Sequence, residues 1–181
     1  MDEDLALTRL VALLGGINVG GRIVKNEKLQ NAFTALGFRG VVTYKQTGNV
    51  VFETSIASLV EVRTKIERRL RRELGFDIPV FIRTIPQLKG MVERNTKAVG
   101  EGNSLLVTSL PGPIDGNALP LPLTIPKSTA EILSASGSEV FSLTHGGGEG
   151  ALPNLFLESK LKVKATTRNM NVLREIVEKY G

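Results

Sequence analysis

Four glycines fall within seven residues in LLGGINVGGR, Leu13–Arg22, directly after an apolar run. Backbone N–H groups at such glycines can cradle a phosphate. The same residues can instead let the chain turn sharply on leaving a strand, because glycine reaches positive φ without strain. A P-loop needs G-x-x-x-x-G-K-[ST], with the lysine on phosphate and the hydroxyl on magnesium. The best register here, Gly16 to Gly21, continues with Arg22 and Ile23, so both groups are missing. No register gives the G-x-G-x-x-G dinucleotide fingerprint. What survives is a nest of N–H groups at Gly20 and Gly21, with Arg22 as the cation. Asn18 supplies an amide that either closes the turn or faces a ligand.

A second polar stretch, KLKVKATTRN, places Lys160, Lys162 and Lys164 ahead of Thr166, Thr167, Arg168 and Asn169. The last four are expected at or just before the start of the final helix, where unpaired N–H groups and the helix dipole attract an anion. Plain capping by Thr167 or Asn169, with Arg168 on a local acid, is the competing explanation. A third stretch, Gln46-Thr47-Gly48-Asn49, is a hairpin turn with two amides to offer. Gln46, Gly48 and Asn49 therefore join the candidate ligand-binding residues. The densest basic run, KIERRLRRE, gives Glu61–Lys65 and Glu67–Arg71 as i,i+4 pairs. It leaves Arg68 and Arg72 without a same-helix partner, as a solvated face or a phosphate-backbone contact.

THGGGEG, Thr144–Gly150, matches the oxyanion loop of esterases superficially, but the G-x-S-x-G nucleophile elbow is absent. His145 is the only histidine and there is no cysteine, so no metal site, thiolate nucleophile or disulfide is expected. No catalytic constellation emerges and no cofactor is implied. The net charge of +5 favours an anionic partner. Aromatic content of 5% leaves little with which to stack single-stranded bases. MDEDLALTR is acidic where a signal peptide is basic, and no apolar run is long enough to span a bilayer. A cytoplasmic location and no membrane partner are the expectation; the oligomeric state is open.

Thr8–Leu14 is a buried strand. Asn26–Leu36 has helical spacing, with Asn26 as N-cap and Gly37 as the stop. Two β-rich runs flank the Gln46–Asn49 turn. Leu59, Val62, Ile66, Leu70 and Leu74 share one face of a long helix ending at Gly75. Ile78–Thr84 is a further strand. The order β-α-β-β-α-β describes a ferredoxin-like sandwich, an antiparallel sheet covered on one face by two helices. Pro86–Asn95 is a connecting helix and Ser104–Leu110 a strand. Leu110–Pro126 holds five of the eight prolines and is expected to be irregular. A hairpin over 130–144 turns at Ser136-Gly137. A helix after Pro153, a short strand over 162–166 and a closing helix over 169–180 complete the chain. The fold class expected is α+β, with two ferredoxin-like subdomains at 1–84 and 104–181, joined by 85–103 and completed by a C-terminal helix.

Three stretches, ALLGGINVGG, TYKQTGNVVF and KATTRNMNVLREI, together resemble the bacterial domain-of-unknown-function family 1697, over nearly the whole chain. The resemblance implies an α+β fold with two ferredoxin-like subdomains and no established activity. The residues themselves favour a binding module for a phosphorylated or anionic ligand. An enzyme acting on a phosphorylated metabolite, a sequence-tolerant nucleic-acid binder using Arg68 and Arg72, and a protein-interaction module are the alternatives.

Overall fold

The computed structural model describes residues 6–45, 48–97, 99–146 and 153–181. It is an α+β protein with a four-stranded and a five-stranded antiparallel sheet and five helices among those residues. The chain divides into two compact units, residues 1–88 with 180–181, and residues 89–179.

The first unit begins with β1 (Thr8–Leu14), whose residues from Leu10 to Leu14 are all buried. Burial on both faces explains why the run is continuously apolar rather than alternating. Helix α1 (Asn26–Thr34) follows, then β2 (Arg39–Thr43), β3 (Asn49–Thr54), α2 (Leu59–Leu74) and β4 (Val80–Thr84). The sheet order is β2-β3-β1-β4, with every neighbouring pair antiparallel. Helix α1 buries Leu29, Ala32 and Phe33, and α2 buries Val62, Ile66 and Leu70. These residues join Leu10, Ala12, Val50 and Phe52 in one core. Phe38 stacks on Phe52 at 4.7 Å between ring centroids, and Phe33 meets Phe52 edge-on at 5.3 Å. Each such side chain contributes about 1.5–3 kcal/mol on leaving water. Asn26 does not cap α1: it is the first helical residue, Lys25 holds the cap position, and the Asn26 amide donates instead to the Lys45 carbonyl at 3.3 Å. Its side chain is drawn to the hairpin and is not available to the helix's own N–H groups.

Helix α3 (Ile85–Arg94) carries the chain from β4 into the second unit. There β5 (Ser104–Ser109), β6 (Leu123–Thr124), β7 (Ala130–Ser136), β8 (Glu139–Thr144), α4 (Pro153–Leu161), β9 (Thr166–Asn169) and α5 (Met170–Tyr180) follow. The sheet order is β6-β7-β8-β5-β9. Leaving out the two-residue β6, the order β7-β8-β5-β9 repeats β2-β3-β1-β4. The position of α1 is occupied by the proline-rich segment and β6. That segment is not wholly irregular: Leu119 and Ile125 are buried in a second core with Ile132, Val140 and Leu157. The strand expected over 162–166 lies later, at Thr166–Asn169, because the pairing with β5 runs from Ser109↔Thr166 to Leu106↔Asn169.

Candidate functional site

The glycine stretch is a loop closed by its own side chains. Gly16, Gly20 and Gly21 have φ of +62°, +65° and +79°, and a Cβ at any of them would meet open space. Backbone conformation, not crowding, therefore calls for glycine here. Ile17 and Val24 are buried and anchor the loop, while Val19 and Ile23 are exposed. Asn18 closes the turn: its Oδ1 accepts from the Val24 N–H at 3.1 Å. The Arg22 guanidinium lies over the Phe76 ring, 4.3 Å from its centroid.

The hairpin turn packs against this loop. The Leu14 N–H donates to the Gly48 carbonyl at 2.8 Å. A Cβ at Gly48 would stand 3.0 Å from both Ile17 Cγ2 and Leu14 Cβ, at a φ of +73°. Asn49 is buried, and its amide donates to the Tyr44 carbonyl at 3.0 Å. Gln46 and Thr47 lie outside the described residues. The structure thus brings two of the three sequence motifs together, within the first unit, and ties Asn18 and Asn49 to the protein's own backbone.

The third motif lies in the second unit, directly before α5 as expected, but as a strand. Thr166, Thr167 and Arg168 belong to strand β9; only Asn169 caps α5, its Oδ1 accepting from the Asn171 N–H at 2.9 Å. Strand alternation separates the four side chains. Thr166 and Arg168 are buried, and Thr167 shares a 2.8 Å hydrogen bond with Thr108. Arg168 donates to Thr166 Oγ1 at 2.8 Å and to the Thr167 carbonyl at 2.9 Å. Burial pulls its pKa down to about 10, which leaves it charged at neutral pH. It is not the exposed anion ligand its neighbouring lysines suggest.

Asn169 instead lines a cleft of about 290 Å³ within the second unit. The end of α3 and the loop after it supply Asn95, Thr96 and Lys97; Asn103 and Ser104 come from the approach to β5; the first turns of α5 supply Asn171 and Arg174. Ala98 lies outside the described residues. None of the described lining residues is acidic, and two are cationic. Arg174 is half-buried. It donates to Asn171 Oδ1 at 2.7 Å and to the Asn95 carbonyl at 3.5 Å, two bonds from a group with five donors. The Lys97 ammonium is exposed and makes no hydrogen bond or ion pair among the described residues. The positive end of the α5 dipole opens on the same space. Lys97, Asn95, Asn103 and Arg174 escape sequence reasoning because they are far apart in the chain. The one local signal is RNMNVLR, where Asn169, Asn171 and Arg174 recur near a helix start.

On α2 the expected Lys65–Glu61 pair forms, at 3.5 Å. The expected Glu67–Arg71 pair does not. Arg71 reaches Asp77 at 2.5 Å, and Glu67 accepts from the Val80 N–H at 3.1 Å, so β4 and its approach outcompete the helix neighbour. Arg68 and Arg72 are exposed. His145 is exposed and its backbone N–H donates to the Thr129 carbonyl at 3.1 Å. Residues 147–150 of the THGGGEG stretch lie outside the described residues. Among the described residues no three His, Cys, Asp or Glu side chains gather as a metal site, and no helix is long and apolar enough to cross a membrane.

A family model described as "Protein of unknown function (DUF1697)" matches residues 7–141. No curated protein matches. Among solved structures, the chain is similar to a conserved bacterial protein from Streptococcus pneumoniae, with a TM-score of 0.69 and 21% identity, over 96% of this chain and 98% of that one. At that identity the likeness is one of fold.

Proposed function

Because the chain belongs to the DUF1697 family of proteins of unknown function, its own site geometry has to carry the reading, and we propose that it is a binding module for a phosphorylated or otherwise anionic small molecule. The observation behind this is the cleft of the second unit: concave, lined by asparagines, and holding Lys97 and Arg174 with no acidic residue among its described lining. A recess with a few converging polar groups is the usual form of a small-molecule site. The start of α5 adds N–H groups and a favourable dipole. Arg174 offers a planar fork suited to phosphate or carboxylate, and Lys97 a point charge. Of the residues singled out by sequence, Asn169 belongs to this site. Gly20, Gly21 and Arg22, with Gly48, form a separate, weaker candidate in the first unit. The finer architecture is part of the same proposal. Each unit is taken as a ferredoxin-like subdomain, over 1–84 and 104–181 with 85–103 between, supported by the shared strand order of the two sheets. A cytoplasmic location is part of it, supported by a chain with no cysteine to oxidise.

Thermal melting with phosphate, sulfate and phosphorylated metabolites tests the proposal. An anion that binds only the folded chain adds about 1.4 kcal/mol at ten times its Kd. For a protein of this size that raises Tm by roughly 3–6 °C. Lys97→Gln combined with Arg174→Gln should remove the rise. No shift beyond a matched chloride control, or an equal shift in the double variant, would refute the site.

A further inference from the structure

Helix α2 carries a second cationic surface, in the first unit and independent of the cleft. Its apolar residues Val62, Ile66 and Leu70 are buried, and Lys65, Arg68 and Arg72 are exposed on the opposite side. The neighbouring arginines are neutralised, Arg69 by Glu73 and Arg71 by Asp77. Lys65 stands 3.5 Å from Glu61. The Arg68 and Arg72 side chains make no ion pair or hydrogen bond among the described residues. They sit at i,i+4, where like charges repel and an acid would ordinarily be the stabilising partner.

We propose that this stripe binds the phosphate backbone of a nucleic-acid duplex. From Lys65 to Arg72 the helix rises about 10 Å, and a duplex carries one negative charge per roughly 1.7 Å of its axis. The stripe thus spans several duplex phosphates, enough to offer one to each cation, Lys65 on exchanging Glu61 for phosphate. Guanidinium forks match phosphate oxygens in pairs. The stripe has no aromatic residue on which unpaired bases would stack, which favours a duplex over a single strand. It also offers no amide to read a base edge, so contacts of this kind position the partner without reading its sequence.

Fluorescence anisotropy with short labelled DNA and RNA duplexes, which share the phosphodiester backbone, tests this in a salt titration. Three phosphate contacts give a log–log slope of about −2.7, a loss of roughly 40-fold in affinity between 50 and 200 mM salt. Arg68→Gln with Arg72→Gln should flatten the slope to about −0.9, a loss of roughly fourfold over the same range. Both positions are exposed, so circular dichroism of that variant should match the parent. Arg39→Gln with Lys89→Gln removes the same charge from exposed positions elsewhere and should leave the slope unchanged. Binding of either duplex with this pattern supports the proposal. Four results would overturn it: no binding to either duplex at low salt, an unchanged slope in the Arg68/Arg72 variant, equal flattening by the control pair, or tighter binding of the unpaired single strand.

Discussion

Arg168 takes a charge into a position only 8% exposed and is held there by the Thr166 hydroxyl and the Thr167 carbonyl. Removing the guanidinium strips a charged donor from both acceptors, and a buried acceptor left unsatisfied costs about 1–3 kcal/mol. Arg168→Ala should therefore lower stability by about that amount, read as a shift in the urea midpoint; an unchanged midpoint would show that the side chain is dispensable to the fold. The sequence points the other way, toward an exposed ligand for an anion, because three lysines precede it. What it does not display is the partner strand: Val107 faces Arg168 across the ladder and fixes which side chains turn inward. Asn18 is a middle case. Its choice between closing a turn and facing a ligand is legible, and the bond to the Val24 N–H decides it.

Helices are the elements most directly written in the chain. The apolar period of α2 is unbroken, and its ends follow from local chemistry. Ser58 Oγ accepts from the Glu61 N–H at 3.2 Å at the start, and Gly75 turns left-handed at the end with a φ of +83°. Ser58→Ala should cost about 1 kcal/mol, whereas Arg68→Gln with Arg72→Gln should change stability by less than about 0.5 kcal/mol. Equal losses in a parallel denaturation series would contradict this division between a cap and a solvent-facing stripe. Strands are less legible where their limits depend on a distant partner. Strand β1 is found at its expected residues, because its apolar run ends in glycines that no ladder needs. Strand β9 begins four residues later than the lysine alternation suggests, since Lys160 lies in the last turn of α4 and β5 sets the pairing.

Across the chain, the strand order β2-β3-β1-β4 of the first sheet recurs as β7-β8-β5-β9 in the second. Between β5 and β7 the chain carries five prolines and no described helix, and the segment still buries Leu119 and Ile125. The cleft is the feature least legible in the sequence. Its cations, Lys97 and Arg174, are 77 positions apart in the sequence, and only Arg174 lies in one of the recognisable stretches. Three independent stretches meet there only once α3, β5 and α5 are in place. The most direct measurement is an NMR titration of the isotope-labelled full chain with inorganic phosphate and a phosphorylated metabolite, following every backbone amide. Saturable shifts should concentrate at residues 95–97, 103–105 and 169–174. Shifts centred on Gly16–Arg22 and Gly48, or no saturable shift at any amide, would contradict an anion site in the second unit.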